Sequence, residues 1–156
     1  MKKGIRYFLL SAMLLIAGNL TVSAQNAADK VLGVYDVTAP GSSENSHVRI
    51  FKAKDGTYAG RVIWLKEPNF EDGTPKRDIK NPDPAKRDTP GDQILLMKGF
   101  SYNAEKNEWS GGTIYNPVNG KTYKCYMKFE SDTKLKVRGY IGVPALGESM
   151  YWFKIK

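Results

Sequence analysis

The chain is poor in the residues that most small-protein chemistry uses. It holds one cysteine and one histidine in 156 residues. Cys125 by itself cannot close an internal disulfide, so the usual staple of small exported domains is missing. A reactive thiol needs a histidine, a cation or a helix N-terminus beside it. Cys125 instead alternates with lysine and tyrosine in Tyr123-Lys124-Cys125-Tyr126-Met127, the setting of a small buried hydrophobe. His47 stands between Ser46 and Val48 with no ligand spacing around it, so zinc sites and Ser-His-Asp catalysis both lack their parts. There is no G-x-S-x-G elbow and no phosphate-binding glycine loop. Nothing places two carboxylates across a cleft for glycoside hydrolysis. The residues therefore assign no catalytic group, no metal and no cofactor, and the expectation is a protein that is not an enzyme.

Long apolar runs are also scarce. The one present is Tyr7–Ala17, preceded by Lys2, Lys3 and Arg6 and followed by the small-residue step Val22-Ser23-Ala24. That order reads as an export signal cut after Ala24, with no cysteine there to carry a lipid. Residues 25–156 then form a mature chain of single-domain length, periplasmic or secreted, with no second run able to span a membrane. The precursor carries +8, and the first 24 residues hold three basic and no acidic side chains, which leaves +5. That excess is mild, matches no nucleic-acid motif, and excludes nucleic acid as the expected partner.

What the chain has in quantity is period-two patterning. In Lys121–Glu130, Tyr123, Cys125, Met127 and Phe129 alternate with Lys124, Tyr126, Lys128 and Glu130. Leu135, Val137 and Gly139 alternate with Lys134, Lys136 and Arg138. Trp109–Tyr115 precedes them, joined by Asn116-Pro117-Val118-Asn119-Gly120, where proline fixes φ and Asn-Gly tolerates positive φ. Short turns between such runs make antiparallel neighbours with one buried and one wet face. Further strands are expected at Val31–Thr38, His47–Ala53, Thr57–Leu65, Ile94–Tyr102 and Ser149–Ile155, with Gln25–Lys30 a loose N-terminus. Eight strands with short turns predict an all-β, eight-stranded antiparallel up-and-down barrel; a β-sandwich is the alternative.

Residues 66–93 break the pattern: 28 residues with five prolines and no apolar period. So long a connection in a compact domain is functional or disordered. It holds Asp72, Asp78, Asp83, Asp88 and Asp92, interleaved with Lys76, Arg77, Lys80, Lys86 and Arg87. The spacing is not that of an EF-hand, and ion pairs with Asx turns are the expected use of these carboxylates.

GGTIYNPVNGKTYKC followed by KLKVRGYIG resembles the signature of the domain-of-unknown-function 2147 family of small exported bacterial proteins. Asp78-Ile79-Lys80-Asn81-Pro82, then Arg87, Gly91 and Trp152, fit the same pattern. The resemblance implies a lipocalin-like barrel and an ordered 66–93 segment, and it implies no activity. It marks Asp78, Asn81, Arg87, Gly112, Asn116, Pro117, Gly120, Arg138 and Gly139 as family-pattern positions with a structural part to play. Lipocalin-like barrels place Gly-x-Trp on the first strand under a basic residue from the last. Gly33-Val34-Tyr35 and Lys154 stand in those places, with Tyr for Trp.

Aromatic side chains facing into a barrel can line a ligand pocket or fill the interior. The candidates for a ligand-binding wall are Tyr58, Trp64, Trp109, Tyr115, Tyr123 and Trp152. Inward glycines would leave room beside them. The expected function is binding of a small, partly apolar or amphipathic ligand, with 66–93 as a lid. The alternative is a non-enzymatic cell-envelope interaction protein that uses 66–93 or the basic outer face from Lys124 to Arg138.

Overall fold

Eight strands form in sequence order: β1 (Gly33–Thr38), β2 (Asn45–Lys52), β3 (Tyr58–Leu65), β4 (Leu95–Asn103), β5 (Glu108–Asn116), β6 (Lys121–Phe129), β7 (Lys134–Tyr140) and β8 (Gly147–Lys154). The structure, a computed structural model, describes residues 22–38 and 44–156. Each strand pairs antiparallel with the next, and β8 returns to β1, so the sheet closes into an up-and-down barrel. Closure uses the pairs Tyr35↔Lys154 and Asp36↔Phe153. It is extended by Val34 N–H to the Lys156 carbonyl at 2.8 Å and Ile155 N–H to the Val34 carbonyl at 2.8 Å. Every strand thus has a neighbour on both sides, which removes the open edges of a sheet. The barrel belongs to a compact unit, Leu32–Lys156, distinct from Met1–Val31.

Most of the expected export signal lies outside the described residues. Within the first unit, residues 22–29 are helical. The expected loose N-terminus therefore gives way to helix in a run holding Ala24, Ala27 and Ala28, which favour it. No helix among the described residues is long and apolar enough to cross a membrane.

Alternation sorts the strand residues as the sequence suggests. The pairs Tyr35↔Val48, Cys125↔Gly112 and Leu135↔Trp152 face inward and are buried, apart from the half-exposed Gly139 beside Cys125. Three glycines in the wall are places where a neighbour's side chain lies against backbone. A Cβ at Gly112 would collide with the Phe100 ring. One at Gly60 would come within 3.3 Å of Met97, and one at Gly139 within 3.4 Å of Ile114. These glycines do not open a cavity, as the sequence suggested. Phe100, Met97 and Ile114 occupy the space they leave.

The two ends differ. Turns at 53–57, 104–107 and 130–133 close one end, which we call the floor. At the other end, the mouth, stand the long 66–94 connection, the 117–120 turn and the 141–146 loop. Residues 39–43, between β1 and β2, lie outside the described residues.

Candidate functional site

The floor is an aromatic layer. Tyr35 and Trp152 lie with ring centroids 6.3 Å apart, Trp109 meets Phe129 edge-on at 5.7 Å, and Tyr102 covers Trp109 at 4.8 Å. Tyr35, Tyr58, Phe100, Trp109 and Trp152 are all buried. Burial pushes the Tyr35 hydroxyl well above the usual tyrosine range. Lys154 packs over Gly33, where a Cβ would sit 2.6 Å from Lys154 Cε. The Gly-x-Tyr and lysine places read from the sequence thus form the closed end. Three of the six candidate aromatics, Tyr58, Trp109 and Trp152, belong to this packed layer.

Two others leave the barrel interior. A register shift between His47 and Val48 pairs Val48 with Val62 but His47 with Trp64, which takes Trp64 off the face it was expected to share with Tyr58 and Val62. Trp64 is 43% exposed and stacks on the His47 ring at 4.4 Å, while His47 Nε2 lies 3.7 Å from Asp36 Oδ1. Tyr115 follows the inward Ile114 and alternates outward, and its hydroxyl donates to Asp78 Oδ1 at 2.6 Å. Tyr123 alone of the six faces the mouth half of the interior, half-buried, its hydroxyl accepting from Asn119 Nδ2 at 3.0 Å.

Among the five loop aspartates the family pattern alone marks Asp78, and the structure shows what sets it apart. At 3% exposed, it is the buried charged residue of the described chain. Its second oxygen accepts from Asn81 Nδ2 at 2.7 Å, and its N–H donates to the Thr89 carbonyl at 3.0 Å. Arg87 Nε donates to the Asn81 carbonyl at 2.9 Å. Burial, then the bond to Asp78, pushes the Tyr115 hydroxyl well above its usual range. The other side of this latch is the β5–β6 turn. Gly120 has φ +72°, and a Cβ there would strike the Lys80 carbonyl. Asn116 holds that turn through Val118 N–H at 2.9 Å, its carbonyl takes Gly120 N–H at 2.8 Å, and Pro117 lies between.

The 66–93 segment is accordingly a built piece of structure. Isolated bridges Asn69↔Pro75 and Arg77↔Pro90 brace it, with short 3-10 turns at Pro84–Lys86 and Gly91–Gln93. Asx turns appear as expected. Asp72 accepts from Thr74 Oγ1 at 2.6 Å and Thr74 N–H at 2.9 Å, and Asp83 accepts from Ala85 N–H at 3.1 Å. These bonds hold both carboxyls below their usual range. Lys76 pairs with Glu44 at 2.6 Å, so residues on either side of β2 and β3 are tied together.

Arg138 is likewise engaged. Nε donates to the Pro144 carbonyl at 2.7 Å, Nη1 to Ser149 Oγ at 2.9 Å and Nη2 to the Ala145 carbonyl at 3.4 Å. It fastens the 141–146 loop to β7 and β8. Cys125 is 1% exposed, and burial pushes its thiol up to about 12. Among the described residues no group of three or more His, Cys, Asp or Glu is placed to hold a metal ion.

Toward the mouth the inward residues are Val37, Val62, Ile114, Tyr123 and Met150, with Glu148 opposite Gly139. Above them the turns present exposed aliphatic tips: Ile79, Val118, Ile141, Val143 and Leu146. Two concavities lie on the outer wall, of about 540 Å³ and 380 Å³.

A closed eight-stranded antiparallel barrel with a packed floor and an elaborated mouth is the lipocalin architecture. Protein HP1028 from the human pathogen Helicobacter pylori, described as belonging to the lipocalin family, has a similar solved structure. The two share 22% identity with a TM-score of 0.66 over 81% of this chain and 83% of that one. The family model for "Uncharacterized protein conserved in bacteria (DUF2147)" matches residues 33–154, and the chain belongs to that family. A comparison with curated proteins finds no match.

Proposed function

We propose that this chain is an exported binding protein that takes a small, partly apolar ligand at the barrel mouth, under the latched 66–93 segment. The observation that carries the reading is the division of the inner wall. Aromatics fill the floor half, whereas Val37, Val62, Ile114, Tyr123 and Met150 line the mouth half under a ring of exposed aliphatic tips. An apolar wall with a few convergent polar groups is the usual composition of a small-molecule site. Here the Tyr123 hydroxyl and the Glu148 carboxylate supply the polar groups. Of the six aromatics, Tyr123 is the one this reading keeps as a ligand contact. Tyr58, Trp109 and Trp152 support it from below by closing the far end. The Asp78 latch gives the lid a fixed seat, so little ordering is needed on binding.

Native mass spectrometry of the mature chain recovered from a bacterial envelope tests the reading. An adduct of defined mass, lost in Tyr123→Ala while the thermal midpoint is kept, is the expected result. A bare mass that stays bare after exposure to envelope lipid and metabolite extracts contradicts it.

A further inference from the structure

Outside the barrel, β2, β3 and β4 carry a feature that the mouth does not explain. Arg49 and Arg61 are direct cross-strand partners on the outer face, and Arg61 in turn stands opposite Leu95. Like charges directly opposite in a sheet repel. Neither guanidinium has a carboxylate partner among the described residues, nor does Lys98 on β4. Asp55, which lines the same groove, accepts from Thr57 N–H at 3.0 Å and Thr57 Oγ1 at 2.8 Å.

These cations border a concavity. Arg61, Lys98, Phe51 and Leu95 line the outer-wall groove of about 540 Å³. A second hollow of about 380 Å³ shares Phe51 and Arg61 and adds Arg49, so the two are continuous. Part of the groove's lining is bare backbone, from Gly99, Gly111 and Gly112. Gly99 and Gly111 both line it in the stretch of β4 and β5 between the pairs Lys98↔Thr113 and Ser101↔Ser110, where Gly99 lies beside Gly112. Both have positive φ, +78° and +79°, and nothing lies within 4 Å of the place where a Gly111 Cβ would be. Across the barrel wall the same stretch presents Gly112 to Phe100, so interior packing fixes the backbone that shapes the groove.

We infer that this groove is an anion site for an amphipathic molecule. A phosphate or carboxylate head would lie between Arg49 and Arg61, within reach of Lys98, and a flat or extended apolar body would lie along Phe51 and Leu95 over Gly99 and Gly111. Arginine suits the head group because its fixed fork meets two anionic oxygens at once. Two opposed, unpaired guanidiniums are unfavourable in the free protein, and an anion between them removes that repulsion. The site is independent of the mouth, and either could exist without the other.

The test uses phenyl phosphate as the probe, with inorganic phosphate and benzyl alcohol as its two halves, followed by amide NMR on the mature chain. The expected result is saturable movement of the Gly99 and Gly111 amides by phenyl phosphate. Inorganic phosphate should bind more weakly and benzyl alcohol not measurably. Arg61→Gln should weaken binding by about tenfold, the size of one lost charge-assisted contact. Arg61 makes no side-chain hydrogen bond or ion pair among the described residues, so this variant should keep the wild-type spectrum elsewhere. No saturation by phenyl phosphate, or equal binding in Arg61→Gln and wild type, overturns the inference. Co-sedimentation with phosphatidylglycerol vesicles then separates the two sources of such a head group. Binding lost in Arg61→Gln assigns a lipid phosphate, and absence of vesicle binding beside saturable phenyl phosphate assigns a soluble one.

Discussion

At the floor of the barrel, Tyr35 meets Trp152 and Trp109 meets Phe129, while short turns join the strands. At the mouth the same strands carry Val37, Val62, Ile114 and Met150, and the connections lengthen into 66–94 and 141–146. The floor is held by side-chain packing. The mouth is held by hydrogen bonds that fasten loops to the barrel: Asp78 to Tyr115, Arg138 to the Pro144 carbonyl, and the Lys80 backbone seated against Gly120. Substitutions at the floor should therefore cost the whole fold. Substitutions at the mouth should loosen one loop and leave the barrel standing. A scaffold that is solid at one end leaves the other free to vary, which is how binding loops are carried on many rigid folds.

The largest effect should come from Trp152→Ala. Emptying a fully buried aromatic site should cost about 3–5 kcal/mol of unfolding free energy, read from urea titration. Tyr123→Ala at the half-buried mouth should cost only about 1 kcal/mol. Equal losses would erase the distinction between the ends.

Gly112→Ala should follow, at about 1–3 kcal/mol, because its Cβ falls on the Phe100 ring and forces repacking. Gly111→Ala, one residue away, meets open space and pays only for its positive φ, about 1–2 kcal/mol. Pairing Gly112→Ala with Phe100→Leu should recover part of the loss, and failure to do so would show that the ring is not the obstacle.

Asp78→Ala should cost about 1–3 kcal/mol, since it leaves the Tyr115 hydroxyl and the Asn81 amide without their acceptor. Its distinguishing sign is local. Limited proteolysis should cut within 66–93 while amide exchange in β6 and β7 stays slow. Uniform loosening of the barrel would instead make the latch part of the core.

The smallest effect concerns Cys125. Its thiol is raised from 9.0 to about 12 in the folded protein. The folded state therefore holds a proton that the unfolded state releases above pH 9. The stability contribution is complete below that pH and is lost as pH rises toward 12. Iodoacetamide at pH 9 should leave the native thiol unmodified and label the urea-unfolded chain. Rapid native labelling would place Cys125 at an opening in the wall.

The strands were legible because period-two alternation is a local signal that the closed sheet keeps almost everywhere. All eight stand within a few residues of their expected bounds, and Asn116 to Gly120 forms the expected turn. What escaped depends on partners distant in sequence. Trp64 shared a parity with Tyr58 and Val62, and the register shift at His47 and Val48 moved it outside. The glycines read as room for a ligand because Phe100, Met97 and Ile114 could not be placed against them without the register. Asp78 was marked off from its four neighbouring aspartates by the family pattern alone, and its burial depends on Tyr115, 37 residues away. The Arg49 and Arg61 pair was hidden for the same reason, since opposed charges become visible only when β2 and β3 are aligned.

Methyl-detected NMR during titration with dodecanoate, an apolar chain with one carboxylate, tests the division of the barrel most directly. The result expected is saturable shifts at Val37, Val62, Ile114 and Met150, with Val48, Met127 and Leu135 unmoved. Shifts centred on Met127 and Leu135, or no saturable shift at any inward methyl, would contradict a solid floor beneath a ligand-accepting mouth.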